Sequence, residues 1–171
     1  GEDCIIESHC VLKNSIVANS VKVLAGSYFE QAEVNSGCAI GPYARLRPGT
    51  VVGEECKIGN FVETKKAILE REVKVSHLSY VGDAEVGEGT NIGCGFITCN
   101  YDGKDKHLTK IGKDSFIGSD CQMIAPVTLG ERVYIGSGST INKDVPDDSF
   151  AIARERQVTK PGMAKKFLKK K

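Results

Sequence analysis

Tryptophan is absent from the 171 residues, and five Tyr and six Phe are the only large rings, which disfavours a core built on aromatic packing. No apolar run approaches the roughly 18 residues a membrane-spanning helix needs, and no charged-then-apolar leader opens the chain, so neither a span nor a signal segment is expected. Among Cys4, Cys10, Cys38, Cys56, Cys94, Cys99 and Cys121 there is no Cys-x-x-Cys pair, and their number is odd. That pattern indicates neither a zinc ribbon nor a disulfide framework, and the expectation is reduced thiols in a cytoplasmic protein. The formal net charge of +1 gives no overall footprint for nucleic acid. Phosphate-loop signatures are also missing: Gly87-Glu-Gly89-Thr-Asn-Ile-Gly93 has the wrong spacing for a dinucleotide fingerprint, and no Walker sequence occurs.

What the chain does contain is a repeat. From residue 111 onward Ile111, Ile117, Met123, Leu129, Ile135 and Ile141 stand six apart, and four residues after each comes Ser115, Cys121, Val127, Val133, Ser139 or Val145. Allowing three hexads to lose a residue, the register runs backward through Thr98, Ile92, Val86, Val81, Val75, Leu69, Thr64, Ile58, Val52, Leu46, Ile40, Val34, Phe29, Val23 and Val17 to Val11 and Ile5. A period of six fits neither a helix nor a hairpin meander. It fits short strands joined by tight turns, each turn of chain burying a narrow column against its neighbours. Glycine often follows the key aliphatic, as at Gly41, Gly59, Gly93 and Gly118. The expected fold is an all-β parallel β-helix of roughly seven to eight coils, spaced about 4.8 Å apart.

The array breaks once. Between Thr98 and Ile111 the gap is 13 residues, and the excess falls in an inserted loop at 99–110. Insertions in solenoids emerge on one face, often the binding face, although its Asn-Tyr-Asp-Gly start also reads simply as a turn. After residue 145 the pattern stops, and residues 146–171 carry eight basic and three acidic side chains. The chain therefore divides into a body at 1–145 and a basic C-terminal arm at 146–171, read as a solvated, partly helical tail or as a phosphate-binding one.

The segments GPYARLRPG (41–49), GNFVETKKA (59–67), SHLSYVGDAEVGEGTNIG (76–93), ITCNYDG (97–103) and the IGSD.Q.IAPV pattern (117–127) closely resemble one family. It is the bacterial bifunctional N-acetylglucosamine-1-phosphate uridylyltransferase/glucosamine-1-phosphate acetyltransferase, in its C-terminal acetyltransferase half. The resemblance implies a left-handed parallel β-helix, an exception to the right-handed crossover rule. It also implies a homotrimer with acetyl-CoA bound between subunits as cosubstrate, no metal required, and a sugar-phosphate acceptor on the route to UDP-GlcNAc and the cell wall. The uridylyltransferase half has no counterpart in this sequence and is expected N-terminal to it in a full-length protein. By the same resemblance His77 is the general base. Arg47 and Lys65 hold the sugar phosphate, Tyr80 and Asn91 line the sugar site, and Asn100, Tyr101, Ser119, Ser137 and Arg154 contact acetyl-CoA together with the backbone at Cys94. Glu63 and Lys106 also fall at positions the family uses around this site. Cys94 and Ser137 stand where related sequences can have Ala, a mild departure.

The register bears on these positions independently. Arg47 and Lys65 share one place in hexads 18 residues apart, so two cations are expected on neighbouring coils, as an anion between them would favour. Asn60, His77, Cys94, Ser119 and Ser137 share another place and form a ladder, a His followed by small residues along which a pantetheine arm fits. Histidine accepts a proton near neutrality, so His77 is expected to deprotonate the attacking 2-amino group. Glu63 is expected to fix the imidazole tautomer, and Asn100 or backbone N–H groups to stabilise the oxyanion. Two other readings use the same repeat: an acyltransferase with a different acceptor, and a γ-type carbonic anhydrase, for which His9, His77 and His107 are the only histidines.

Overall fold

A computed structural model describes residues 1–168; the last three lysines of the basic arm, 169–171, lie outside the described residues. The chain winds as a three-faced parallel β-helix with short strands on each face and tight turns at the corners. The first face stacks Ile5–Ile6, Lys22–Val23, Ala39–Ile40, Lys57–Asn60, Lys74–His77, Asn91–Ile92, Phe116–Ile117, Tyr134–Ile135 and Phe150–Ala151, all in parallel. The second face begins at Val11–Lys13, Tyr28–Glu30 and Arg45–Leu46, the third at Ile16–Val17, Glu33–Val34 and Val51–Val52. This topology, with its hexapeptide repeat, is that of a left-handed parallel β-helix.

Nine strands on the first face exceed the seven to eight coils expected, because the array begins and ends on that face and pairing continues past residue 145. Phe150–Ala151 lies on Tyr134–Ile135, and Val145 bridges Leu129. Ala153 is still bonded to Ser139 and Thr140 of the coil below; further on, the arm holds a single 3-10 turn at Met163–Lys166.

The hexad aliphatics point inward, since alternate strand residues face opposite sides. Val23, Phe29, Ile40, Leu46, Ile58, Val75, Ile117 and Ile135 are fully buried. At the N-terminal end the register differs by one from the expectation: Ile6 and Leu12, rather than Ile5 and Val11, align with Val23 and Phe29. Adjacent apolar pairs made the two choices indistinguishable in the sequence. The shift makes Leu12 to Val17 a fourth shortened corner.

All four short corners, after Leu12, Phe29, Thr64 and Val81, turn on one left-handed residue: Asn14 (φ 49°), Gln31 (47°), Lys66 (46°) and Asp83 (46°). At the last two the backbone pairing continues around the corner, so that Glu63–Leu69 and Tyr80–Val86 each contribute to both the second and third faces.

Candidate active site

The corner joining the first and second faces carries the expected ladder. Asn60 and His77 are register partners, and Cys94, Ser119 and Ser137 continue the column at the equivalent corners, linked by backbone bonds from Asp120 N to Cys94 O and Gly138 N to Ser119 O. The column packs closely over a line of glycines. A Cβ on Gly93 would lie 2.6 Å from Ser119 N, and one on Gly118 would lie 2.6 Å from Ser137 N and 2.7 Å from its Oγ. Glycine at these places therefore leaves a smooth strip beside the ladder. At the far end the arm returns Arg154, whose Cδ lies 3.5 Å from where a Cβ on Gly138 would be. Asn60, His77, Cys94, Ser119, Ser137 and Arg154 thus follow one corner.

His77 ends the strand Lys74–His77 and is exposed. Its Nδ1 lies 2.9 Å from Asn60 Oδ1. With Nδ1–H donating to that oxygen, Nε2 carries the lone pair. Glu63, expected as the tautomer partner, lies elsewhere: it accepts from Arg47 Nη1 at 2.8 Å and is 3.5 Å from Arg45 Nη1. The cause is the register, which puts Glu63 in a column with Arg45 and Tyr80 on the second face, while Asn60 occupies the place beneath His77.

On that second face the expected cations converge. Lys106, from the inserted loop, stands against Lys65, and this neighbour first, then desolvation and then Arg47, holds the Lys65 ammonium below its ordinary pKa of 10.5. Arg47, Lys65 and Lys106 are therefore brought together, with Tyr80 stacked on Glu63 one coil above. Asn100 begins the loop, 7% exposed, and donates Nδ2 to Asp83 Oδ2 at 2.5 Å.

The loop has its own internal frame. Tyr101 and Lys106 form an antiparallel bridge, and Tyr101 Oη donates to Gly103 O at 2.7 Å. Asp102 Oδ1 accepts from the Lys104 and Asp105 N–H groups at 2.8 and 2.7 Å, while its Oδ2 meets His107 Nε2 at 2.7 Å. These partners, His107 first, hold the Asp102 carboxyl well below the usual carboxylate range.

Asn91 is the expected residue that one chain does not bring to the cation cluster. It lies on the first face, between Lys74 and Phe116, below the stacked rings of Phe116, Tyr134 and Phe150, whose centroids are 4.9 and 5.7 Å apart. A shallow groove lined by Ile68, Glu85, Lys110 and Thr128 occupies the third face, away from His77.

The three histidines stand apart, His9 on the first coil, His77 at its corner and His107 in the loop. Among the described residues no three His, Cys, Asp or Glu side chains group as a metal site, and no helix is long and apolar enough to cross a membrane.

Sequence reasoning missed three contributors: Asn60 as the partner of His77, Asp83 beneath Asn100, and the Asp102–His107 pair. The first two were recoverable by counting 17 residues per coil wherever a corner is short. The third needed the loop's conformation.

The family described as bacterial transferase hexapeptide (six repeats) matches residues 31–66 and 108–143. The chain is similar to the bifunctional protein GlmU of Nitratidesulfovibrio vulgaris (strain DSM 19637 / Miyazaki F), 55% identical over 157 residues that make up 92% of this chain and 34% of the relative. It is also similar to the bifunctional protein GlmU of Jannaschia sp. (strain CCS1), 50% identical over 168 residues, 98% of this chain and 37% of that one. The chain thus spans about a third of the length of these curated relatives. Among solved structures, PerB from Caulobacter crescentus in complex with CoA and GDP-perosamine aligns with a TM-score of 0.38 and 16% identity, over 88% of this chain and 54% of that one.

Proposed function

Starting from the fact that this chain belongs to the family of bifunctional GlmU proteins, we propose that it transfers an acetyl group from acetyl-CoA to the 2-amino nitrogen of glucosamine-1-phosphate. The observation that carries this reading is the meeting of Arg47, Lys65 and Lys106 on the face adjoining the His77 corner. With Arg45 beside them, four cations on this face stand against only two carboxylates, Glu63 and Asp83; the net positive charge suits an anion, and a sugar phosphate supplies one.

In this reading Arg47, Lys65 and Lys106 fix the phosphate, and Tyr80 lines the sugar. His77 Nε2 removes a proton from the attacking amine, with Asn60 holding Nδ1–H. The nitrogen attacks the thioester carbonyl, a C–N bond forms, and the C–S bond breaks. The imidazolium returns its proton to the departing CoA sulfur, so the base is regenerated. The pantetheine arm lies along the ladder at Cys94, Ser119 and Ser137, with Arg154 at its far end and Asn100 and Tyr101 at the loop side.

The developing oxyanion falls to backbone N–H groups near Cys94, since the Asn100 amide group is turned to Asp83. Glu63 acts by orienting Arg47 rather than His77. Asn91 enters the sugar site when a second copy lays its first face against this one, the arrangement of a homotrimer with shared sites. The remaining two thirds of the full-length relatives would carry uridylyl transfer, and both activities belong in the cytoplasm.

The deciding experiment incubates the purified chain with acetyl-CoA and glucosamine-1-phosphate and follows N-acetylglucosamine-1-phosphate by chromatography, beside His77→Ala. Product from wild type and a loss of at least about 10²-fold in the variant are expected. Absence of product from a folded sample overturns the acceptor, and equal rates in both remove His77 as base.

A further inference from the structure

Asp83 takes no step in the mechanism just described, yet it touches Asn100 on one side and adjoins Lys65 on the other. It occupies the short corner within Tyr80–Val86 at φ 46°, a conformation Asp adopts more readily than most side chains. Its Oδ2 accepts from Asn100 Nδ2, 17 residues on and one coil above. An ionised carboxylate only accepts hydrogen bonds. The contact therefore settles which way the Asn100 amide faces: NH₂ toward Asp83, Oδ1 away from it.

On its other side Asp83 follows Gly82, the register partner of Lys65. Its charge opposes the effect of Lys106 and Arg47 on the Lys65 ammonium. The charged groups acting on Lys65 are accordingly Lys106, Arg47 and Asp83, with Glu63 held by Arg45 and Arg47.

We propose that Asp83 is a positioning residue that links the two substrate subsites, holding Asn100 with its amide oxygen available to the acetyl-CoA arm while tempering the positive charge that binds the sugar phosphate. The inference rests on the function proposed above. Oriented in this way, Asn100 presents an acceptor, which suits an amide N–H of the pantetheine arm. Without the carboxylate the amide is free to turn, and the cation cluster gains one unit of net positive charge.

The two roles act on different kinetic constants. Loss of the orienting contact lowers kcat, and loss of the negative charge strengthens binding of the phosphate dianion and lowers its KM. A side chain that merely supported the fold would not lower KM.

The test uses the whole chain with Asp83→Gly, which accepts φ 46° without strain, and Asp83→Asn, which keeps shape and one acceptor oxygen. In Asp83→Gly we expect kcat to fall at least about 30-fold and KM for glucosamine-1-phosphate to fall about threefold, the KM effect fading with added salt. In Asp83→Asn the same KM decrease accompanies a smaller loss of kcat. Circular dichroism matching wild type establishes that both variants fold.

Unchanged kcat in folded Asp83→Gly, or a sugar-phosphate KM that is unchanged or raised in both variants, overturns the inference. Should wild type form no product, the proposed function fails instead. Titration with inorganic phosphate, followed by NMR, then still reads the Asp83 charge effect: tighter binding in both variants supports it, and equal binding overturns it.

Discussion

His77 Nδ1 and Asn60 Oδ1 lie 2.9 Å apart on consecutive coils, joined by a register step of 17 residues. The pair is a direct product of β-helix stacking, since the strand carrying one residue lies on the strand carrying the other. It leaves Nε2 as the lone-pair nitrogen, turned away from the contact that orients the ring.

That relationship predicts the effect of Asn60. Asn60→Ala should reduce kcat about tenfold or more, with little change in KM for either substrate, because it releases the imidazole from one tautomer and orientation. Asn60→Asp places an anion beside the ring and should move the ascending limb of the kcat/KM pH profile to higher pH. A profile identical to wild type in both variants would remove Asn60 from this role.

Lys106 lowers the pKa of Lys65 chiefly by its closeness. In Lys106→Met the Lys65 titration, followed by NMR of its ε-methylene, should therefore rise toward the ordinary 10.5. The same variant should weaken sugar-phosphate binding by about tenfold, as expected for one charged hydrogen bond of about 1.5 kcal/mol. A Lys65 titration unmoved by the substitution would contradict the clustering.

The Asp102 carboxyl is held below its ordinary 3.8 by His107 and by the Asp105 and Lys104 N–H groups. A depressed carboxylate pKa means the contribution to loop order is fully present above about pH 4 and lost only as pH falls through the lower folded value. The amide resonances of Lys104 and Asp105 should thus show no carboxylate step near the ordinary 3.8 and report the Asp102 titration only below it. Titration of these amides at the ordinary carboxylate value would show that the frame does not persist in solution.

Two buried threonines should respond oppositely to valine. Thr109 Oγ1 is buried without a hydrogen-bond partner, between Ala84 and Val127 in the register. Thr109→Val removes that unsatisfied hydroxyl at constant shape and should stabilise the protein by about 1 kcal/mol. Thr64 Oγ1 instead shares a 3.0 Å bond with Thr50 Oγ1, so Thr64→Val strands Thr50 and should cost about 1–2 kcal/mol. Denaturant titration at one fixed protein concentration compares them; equal signs for the two variants would refute the distinction.

The sequence by itself determined the repeat, and with it the fold. Branched residues at every sixth place, from Val17 to Ile141 with a few single-residue losses, have one economical burial, a stack of coils with those side chains inward. It also determined that Arg47 stands near Lys65 and that His77 heads a ladder of Cys94, Ser119 and Ser137, since such neighbours follow from counting residues per coil.

Only the tertiary structure decided the finer contacts. Whether Ile5 or Ile6 faced inward depended on how many corners were short, which a pair of adjacent aliphatics conceals. Glu63 and Asn60 both lay within reach of His77 by sequence, and a difference of three residues, one face apart, gave Glu63 to Arg47 and Asn60 to the imidazole. Lys106 came to Lys65 through a loop whose shape depends on Asp102 accepting three bonds, a conformation no repeat encodes. Hexapeptide periodicity fixes backbone stacking because burial repeats with it; side-chain pairing and loop conformation depend on local torsions and charge, which do not repeat.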